Sequence, residues 1–287
     1  MVERHREELF RSNFMLRDGI WKLTGLELAA RPRIPIMKDL PHDCIVHILS
    51  YGSPLDACRL AVVSSAVKDA VESDVLWGGF LPSDYLEIIS RCMCPVKYKS
   101  KKELFFKLTS SLLIDGGLKT FSIEKATGKR CYMLSARDLY IAWSDNPLFW
   151  CWKPIPKSRF AEAVELRMTN WLEIEGKINT KILSQNTQYG AYVIIKLAHH
   201  RAYGLDVLPS KVSIEVGQFH SQRTINLSCK PNSKVFHERR DGWLEIELGQ
   251  FYNDGICEKN VIMRLREVDG VHLKGGLLVE GIEIRPI

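Results

Sequence analysis

The chain has 287 residues, of which 46% are hydrophobic and 26% are charged, and its 40 Lys and Arg against 34 Asp and Glu give a net charge of +6. This balance is typical of a globular protein and excludes a disordered, collagenous or coiled-coil chain. No apolar run reaches the length that a membrane span needs, so we expect no membrane partner.

The N-terminal stretch is charged and does not have the pattern of a secretion signal. The 8 cysteines lie mostly in apolar runs, which is typical of buried free thiols in a reducing compartment rather than of a disulfide framework. We therefore expect the protein in the nucleus and cytoplasm.

Helix signals dominate residues 37–118, whereas residues 1–36 form an N-terminal extension to which the sequence assigns no role. Leu40 and Pro41 fit the first turn of a helix, where the missing N–H of proline costs nothing. Ile45, Ile48 and Leu49 then follow at helical spacing. The residues placed to cap later helices are Ser53, Ser64 or Ser65, Ser73 and Ser100. The pattern predicts a bundle of short helices up to residue 85 and a helical linker over 86–118, with a last helix that ends near Gly116.

Helices of about ten residues are marginal in isolation and survive by packing against something else. Residues 40–80 supply only a small core of their own. We therefore expect a partner protein to complete the apolar surface of this bundle.

Strand signals dominate residues 119–287, with alternating or continuous apolar patterns separated by turn residues. The predicted strands are Asp138–Trp143, Trp171–Ile178, Tyr189–Leu197, Val212–Val216, Trp243–Leu248, Val261–Val268 and Leu277–Ile284. So many strands without long intervening helices predict an antiparallel β-sandwich. The fold class is then α+β multidomain, a small helical bundle followed by a sandwich.

No catalytic, metal-binding or cofactor motif stands out. Two carboxylate pairs, Glu173 with Glu175 and Glu245 with Glu247, have the separation of a glycosidase pair at about 7 Å, but alternating Glu is more typical of a solvated strand face. Cys92 and Cys94 have no second pair at zinc-site spacing. The basic run Lys97–Lys102 lacks the interleaved aromatics of a nucleic-acid groove. We expect a non-enzyme that binds no nucleic acid.

Several stretches of the helical half resemble an F-box of plant type: Leu40–Ser50, Ser53–Cys58, Val63–Ser65, Ser73–Trp77 and Phe80–Tyr85. The β half resembles the phloem protein 2 lectins, related to the tobacco agglutinin, in Ser122–Arg130, Ser135–Leu139, Asp145–Pro147, Trp150–Trp152, Trp171–Lys177, Asp241–Gly249 and Gly281–Pro286. The order of the two modules is similar to that of the F-box/phloem-protein-2-B group. The resemblance implies an F-box over 37–85 and a jelly-roll-like lectin domain over 119–287.

The F-box resemblance implies docking onto the Skp-type adaptor of a cullin-RING ubiquitin ligase, in which this chain would be a non-catalytic substrate-recognition subunit. An orphan helical cluster that buries its apolar surface in a partner is consistent with such docking. The contacts that the resemblance implies are Leu40, Pro41, Ile45, Ile48, Leu49, Leu60, Val63 and Trp77. Each of them could instead belong to the internal core, and Leu40 and Pro41 are the contacts that the bundle itself needs least.

The lectin resemblance implies carbohydrate binding, in the family to N-acetylglucosamine oligomers or N-glycan cores, so the target protein would be N-glycosylated or of another kind. The sugar-site tryptophans of the family map to Trp143 and Trp150. Alternation with Leu139 and Ile141 would place Trp143 in the core, whereas Trp150 follows a Pro-containing turn and is expected to be exposed. Trp171 and Trp243 are alternative sugar-stacking residues, but each could equally have the structural role of covering the second sheet. Trp152 is expected in the core.

Two other functions stay open at this point. One is a nucleocytoplasmic lectin in stress or defence that acts without a ligase. The other is a ligase receptor whose sandwich binds protein and has no affinity for sugar.

Overall fold

Six short helices form the first part of the computed structural model, which describes residues 40–198, 201–227 and 235–287. The proposed N-terminal extension over 1–36 therefore lies outside the described residues. The helices are α1 (His42–Ser50), α2 (Pro54–Leu60), α3 (Ser65–Val71), α4 (Asp74–Phe80), α5 (Tyr85–Ser90) and α6 (Lys101–Leu108).

Serine side chains begin the helices where the sequence predicts them. Ser53 caps α2 in a capping box with Asp56, with Pro54 at the first helical position. Ser64, Ser73 and Ser100 accept from backbone N–H groups of α3, α4 and α6. The bounds of α6 differ from the prediction, because the helix stops at Leu108 instead of continuing towards Gly116.

Fourteen strands are present in the described part of the chain, and they form two antiparallel sheets. Their bounds are β1 (Leu112–Ile114), β2 (Lys119–Ile123), β3 (Arg130–Ser135), β4 (Tyr140–Ile141), β5 (Trp150–Lys153), β6 (Ala163–Leu166), β7 (Leu172–Asn179), β8 (Thr187–Leu197), β9 (Ser210–Val216), β10 (Phe219–Ile225), β11 (His237–Glu238), β12 (Leu244–Asn253), β13 (Asn260–Glu267) and β14 (Leu277–Pro286).

The larger sheet has the order β1-β2-β3-β14-β8-β12-β11, with β6 also paired to β14 and β5 to β6. The smaller sheet has the order β10-β9-β13-β7-β4. Leu172, Ile174 and Ile178 of β7 are buried, as the alternation predicts, and they face the core between the sheets. The helical bundle followed by an antiparallel β-sandwich confirms the predicted fold class. Since β1 pairs with β2, the sheet begins inside the segment 86–118.

The helices and the sandwich share one hydrophobic core, which runs from Ile45 of α1 to Ile284 of β14. The turn between β2 and β3 forms the joint between them, together with Asp84. Arg130 donates to both carboxylate oxygens of Asp84 and to the carbonyl of Ile182 at 3.1 Å. Gly128 has a φ of +72°, and a Cβ there would lie 3.1 Å from the carbonyl oxygen of Phe80. Only glycine combines this backbone conformation with so close an approach.

The joint lies at one end of the strands. The residues that follow β7 contact it, because the Ser184 hydroxyl accepts from the N–H of Arg130 at 3.1 Å. Trp171, just before β7, lies at the opposite end. Since β7 has 8 residues, about 26 Å of strand separates the two ends.

Candidate functional site

Several apolar side chains of the helical bundle are exposed. Ile48 is 44% and Val63 is 61% exposed, and Pro41 is also exposed. Further exposed side chains of the same helices and their connections are Tyr51, Leu55, Val62 and Val75. We call these seven residues the apolar bundle surface. It is the type of surface that a partner protein covers.

Other predicted adaptor contacts lie inside the chain. Ile45, Leu49 and Trp77 are at most 2% exposed, so they hold the bundle together and are not available to a partner in this structure. Leu40 and Leu60 are half-buried and pack against the core. Ile45, Leu49 and Trp77 therefore belong to the internal core, the alternative that the sequence left open for each predicted contact.

Trp77 is the centre of the bundle core. Its indole N–H donates to the carbonyl of Val71 at 2.6 Å, and its ring centroid lies 5.0 Å from that of Phe105 and 5.4 Å from that of Phe106. Since Phe105 and Phe106 belong to α6, this tryptophan fastens the bundle to the segment that leads into the sandwich. Spacing alone could not separate this role from adaptor contact.

Three aromatic rings meet at the far end of the sandwich. The ring centroid of Trp143 lies 5.6 Å from that of Phe149 and 6.3 Å from that of Trp171. Trp143 is 50% and Trp171 is 38% exposed. We call Trp143, Phe149 and Trp171 the aromatic shelf.

The position of Trp143 differs from the core position that alternation with Leu139 and Ile141 would give. β4 ends at Ile141, and Trp143 stands in a turn with a φ of +57°. Its carbonyl accepts from the N–H of Asn146 at 3.0 Å. A left-handed residue breaks the strand period, and the side chain therefore leaves the core face.

A network of hydrogen bonds holds Trp171 in place. Its indole N–H donates to Glu173 at 2.9 Å, and its backbone N–H donates to the hydroxyl of Thr169 at 3.0 Å. Below this segment, the ammonium of Lys274 donates to the carbonyl of Asn170 at 2.8 Å and pairs with Glu267. Lys274 is 0% exposed, so a buried ion pair supports the outer edge of the shelf.

The expectation of an exposed Trp150 is wrong. Trp150 is 2% exposed, and its indole N–H donates to the carbonyl of Ala142 at 2.9 Å. It therefore supports the turn that carries Trp143 and cannot touch a sugar directly. Trp171, and not Trp150, is the exposed indole beside Trp143.

The remaining sandwich tryptophans are structural. Trp243 is fully buried on the outer side of the larger sheet, beneath Lys196 at 4.3 Å from the ring. Trp152 is half-buried rather than in the core, and the guanidinium of Arg137 stacks 3.6 Å from its ring centroid. Trp243 is thus a structural cover and no sugar platform.

Three of the four paired glutamates of the strands form ion pairs. Glu173 pairs with Arg266 at 3.0 Å, and Glu175 pairs with Arg264 at 2.6 Å. Burial opposes the charged form of Glu245, but hydrogen bonds and charge from Arg285 outweigh it and lower the pKa of Glu245. Because its pKa is lowered, Glu245 is a poor general acid.

The thiols are free but less buried than expected. Cys44, Cys58, Cys94 and Cys257 are exposed, and Cys92, Cys131 and Cys151 are half-buried. Cys229 lies outside the described residues. Burial raises the pKa of Cys131 to about 12, so this thiol stays protonated at neutral pH. In the described parts of the chain, no group of three or more His, Cys, Asp or Glu side chains is placed to hold a metal ion. No helix among the described residues has both the length and the apolar character for crossing a membrane.

The chain is thus a two-module protein, in which a helical bundle with an apolar surface is joined to a sandwich with an exposed aromatic shelf. Comparison with known families agrees, since the F-box domain matches residues 37–78 and Phloem protein 2 matches residues 129–286. The chain belongs to the plant F-box proteins of the phloem protein 2-B type, which confirms the resemblance seen in the sequence.

Curated relatives from Arabidopsis thaliana are similar along nearly their whole length. F-box protein PP2-B15 is 46% identical over 278 residues, which cover 86% of this chain and 96% of the relative. Putative F-box protein PP2-B12 is 43% identical over 86% of this chain and 97% of its own length. F-box protein VBF is 42% identical over 87% of this chain and 99% of its own length. Both modules are therefore shared with each relative.

Proposed function

We propose that this protein is the substrate-recognition subunit of a Skp-Cullin-F-box ubiquitin ligase. The apolar bundle surface binds the Skp-type adaptor, and the aromatic shelf binds a glycan on the target protein. The observation that carries the proposal is the placement of the two surfaces at opposite ends of one shared core. A receptor with this arrangement contributes proximity and no chemistry, because it holds the target near the ligase.

Glycan binding is supported by the geometry of the shelf. Two half-exposed indoles present flat apolar faces, which suit the C–H face of a sugar ring. The carboxylate of Glu173 beside Trp171 offers an acceptor for a sugar hydroxyl. We propose N-acetylglucosamine oligomers or an N-glycan core as the first ligands to examine, and the nucleus and cytoplasm as the location of the protein.

The adaptor role is tested by co-purifying the full chain with a Skp-type adaptor. In the double variant Ile48→Asp and Val63→Asp, we expect at least tenfold weaker capture, because a carboxylate in an apolar interface remains desolvated and unpaired. Both side chains are exposed in the free chain, so the melting temperature should stay near that of the wild type. Val271→Asp is the matched control, since Val271 is 92% exposed and lies outside the bundle. Unchanged capture by the double variant contradicts the adaptor role.

The glycan role is tested on the same preparations with a glycan array and titration calorimetry. Trp143→Ala and Trp171→Ala should each weaken binding about tenfold, because each removes one face of the shelf. Phe219→Ala is the control, because Phe219 is 49% exposed on β10, away from the shelf. Glycan binding without adaptor capture would support the lectin that acts alone, and adaptor capture without glycan binding would support a purely protein-binding sandwich.

A further inference from the structure

A cavity of about 510 Å³ opens beside the aromatic shelf, on the outer face of the larger sheet. Its polar lining comes from Cys151 and Lys153 of β5, Glu165 of β6, Arg167, Arg201 and Tyr203, and Leu166 and Gly276 also line it. In β5 and β6, Trp150 and Leu166 face the core, whereas Cys151 and Glu165 point to the other side. Charged side chains therefore project into the cavity, and its volume lies in the range of small-molecule sites.

Positive charge is in excess in this cavity. Among its described lining residues, Lys153, Arg167 and Arg201 carry positive charge, and Glu165 is the one carboxylate. Glu165 pairs with Lys153 and lies 3.3 Å from Arg201. One carboxylate cannot neutralise three cations, so the cavity favours an anion.

Arg167 has hydrogen-bonding capacity that the described residues leave uncommitted. The described residues place no carboxylate oxygen within 4.0 Å of its guanidinium, which donates to the carbonyl of Pro147 at 3.0 Å. Four of its five N–H donors are left for a ligand. Arg201, with a side chain that is 71% exposed, can turn towards the same ligand.

The cavity and the shelf share one loop. The backbone N–H of Arg167 donates to the carbonyl of Phe149 at 2.7 Å, and the ring of Phe149 contacts Trp143. The hydroxyl of Tyr203 donates to the carbonyl of Arg167 at 3.2 Å. The backbone contact between Phe149 and Arg167 therefore links the shelf to the wall of the cavity.

We propose that the shelf and the cavity together bind an acidic glycan, in which a sugar ring stacks on Trp143 and Trp171 and a carboxylate or sulfate is held by Arg167 and Arg201. The planar fork of arginine matches the two oxygens of such a group. This inference rests on the proposed glycan-binding function and specifies its substrate class. The aromatic rings beside the cations favour a glycan over an acidic peptide.

Titration calorimetry on the full chain tests the proposal with oligomers of galacturonic acid and with the same oligomers as methyl esters. The ester has the same ring and linkage but no charge. We expect the acid to bind at least about tenfold more tightly at low salt, the usual effect of a hydrogen bond to a charged group. The preference should shrink in 0.5 M NaCl, since a half-exposed ion pair is screened at about that concentration. A sulfated oligomer of the same length separates carboxylate recognition from sulfate recognition.

The variants Arg167→Met and Arg201→Met keep most of the side-chain length and remove the charge. Each should bring the affinity for the acid close to that for the ester while leaving ester binding intact. Lys177→Met, on the exposed side of β7, is the matched control and should keep the preference.

The possible outcomes separate the two proposals. Equal binding of acid and ester by the wild type, with binding still weakened about tenfold in Trp143→Ala, overturns the acidic-glycan inference and leaves the glycan-binding function in place. Binding of an acidic peptide at Arg167 without any glycan binding overturns both. A preference for the acid that disappears only in the two arginine variants supports the inference.

Discussion

At the scale of single residues, local backbone geometry decides which tryptophans reach solvent. Trp143 and Trp150 both belong to the predicted sugar motif, yet one lies on the surface and the other below it. The difference arises because the chain turns at Trp143 with a positive φ, and because the indole of Trp150 donates to the carbonyl of Ala142 inside that turn. Sequence indicates the motif, but it does not show where a two-residue strand ends.

Asp115 offers a test of electrostatics at this scale. Arg91 donates to both of its carboxylate oxygens at 2.8 Å, and this hydrogen bonding lowers the pKa of Asp115 below its usual 3.8. A carboxyl with a lowered pKa stabilises the fold above its unfolded pKa, and that contribution is lost as the pH falls through the folded pKa.

We therefore expect Asp115→Asn to reduce the free energy of unfolding by about 1–2 kcal/mol at pH 7. The difference from the wild type should close as the pH falls below 3.8. Urea unfolding at a series of pH values measures it, with the exposed Asp69→Asn as control. If the difference in the free energy of unfolding between the two proteins stays constant down to pH 2.5, the charge of Asp115 is not its cause.

At the scale of elements, the sequence predicts helices better than strands. Helix caps such as Ser53 and Ser100 depend only on residues within one turn. The sequence therefore predicts them, and the structure confirms them. The long strands, such as β8 and β14, are also predicted. The strands that the prediction missed are β1, β2, β3, β5, β6, β10 and β11. For β1, β5 and β6, three or four residues are too few to show a period, and distant partners stabilise them. The shelf depends on such a distant contact, between Lys274 and the segment before Trp171.

This contact predicts a large effect for Lys274→Met. The change leaves Glu267 buried without its cation, and an uncompensated buried charge costs about 3–5 kcal/mol. Glycan affinity should fall as well, because Asn170 and Trp171 lose their support. Chemical denaturation and calorimetry measure the two effects.

The double variant Lys274→Met with Glu267→Gln serves as the companion. It removes the orphaned charge and should recover a large part of the lost stability. If the single variant is as stable as the wild type, the buried pair is not a support of the shelf.

At the scale of the whole molecule, the helical bundle and the sandwich act as one body. They share a hydrophobic core and a joint at Gly128, Arg130 and Asp84. Residue patterns indicate two modules in sequence order, but they do not indicate that the two modules share one hydrophobic core. The fusion depends on contacts such as that of Gly128 with Phe80, which are made between residues far apart in the chain.

Gly128→Ala should therefore destabilise both modules together. The added Cβ meets the carbonyl of Phe80 at 3.1 Å in a left-handed residue, whereas Gly242, with a φ of +77°, has nothing within 4 Å of its added Cβ. We expect Gly242→Ala to cost about 1 kcal/mol for the backbone conformation alone, and Gly128→Ala to cost clearly more. Hydrogen exchange followed by mass spectrometry measures the protection of backbone amides in the bundle and in the sandwich separately. A loss of protection confined to one module would contradict the shared unit.

In the proposed ligase, the joint between the bundle and the sandwich would also restrict which lysines are ubiquitinated. If the two modules keep a fixed orientation, the bound target protein is held at a fixed distance from the ligase. Only lysines within a limited range of distances from the bound glycan would then be modified. A glycoprotein whose lysines all fall outside that range would occupy the receptor and escape modification, and it would behave as a natural decoy.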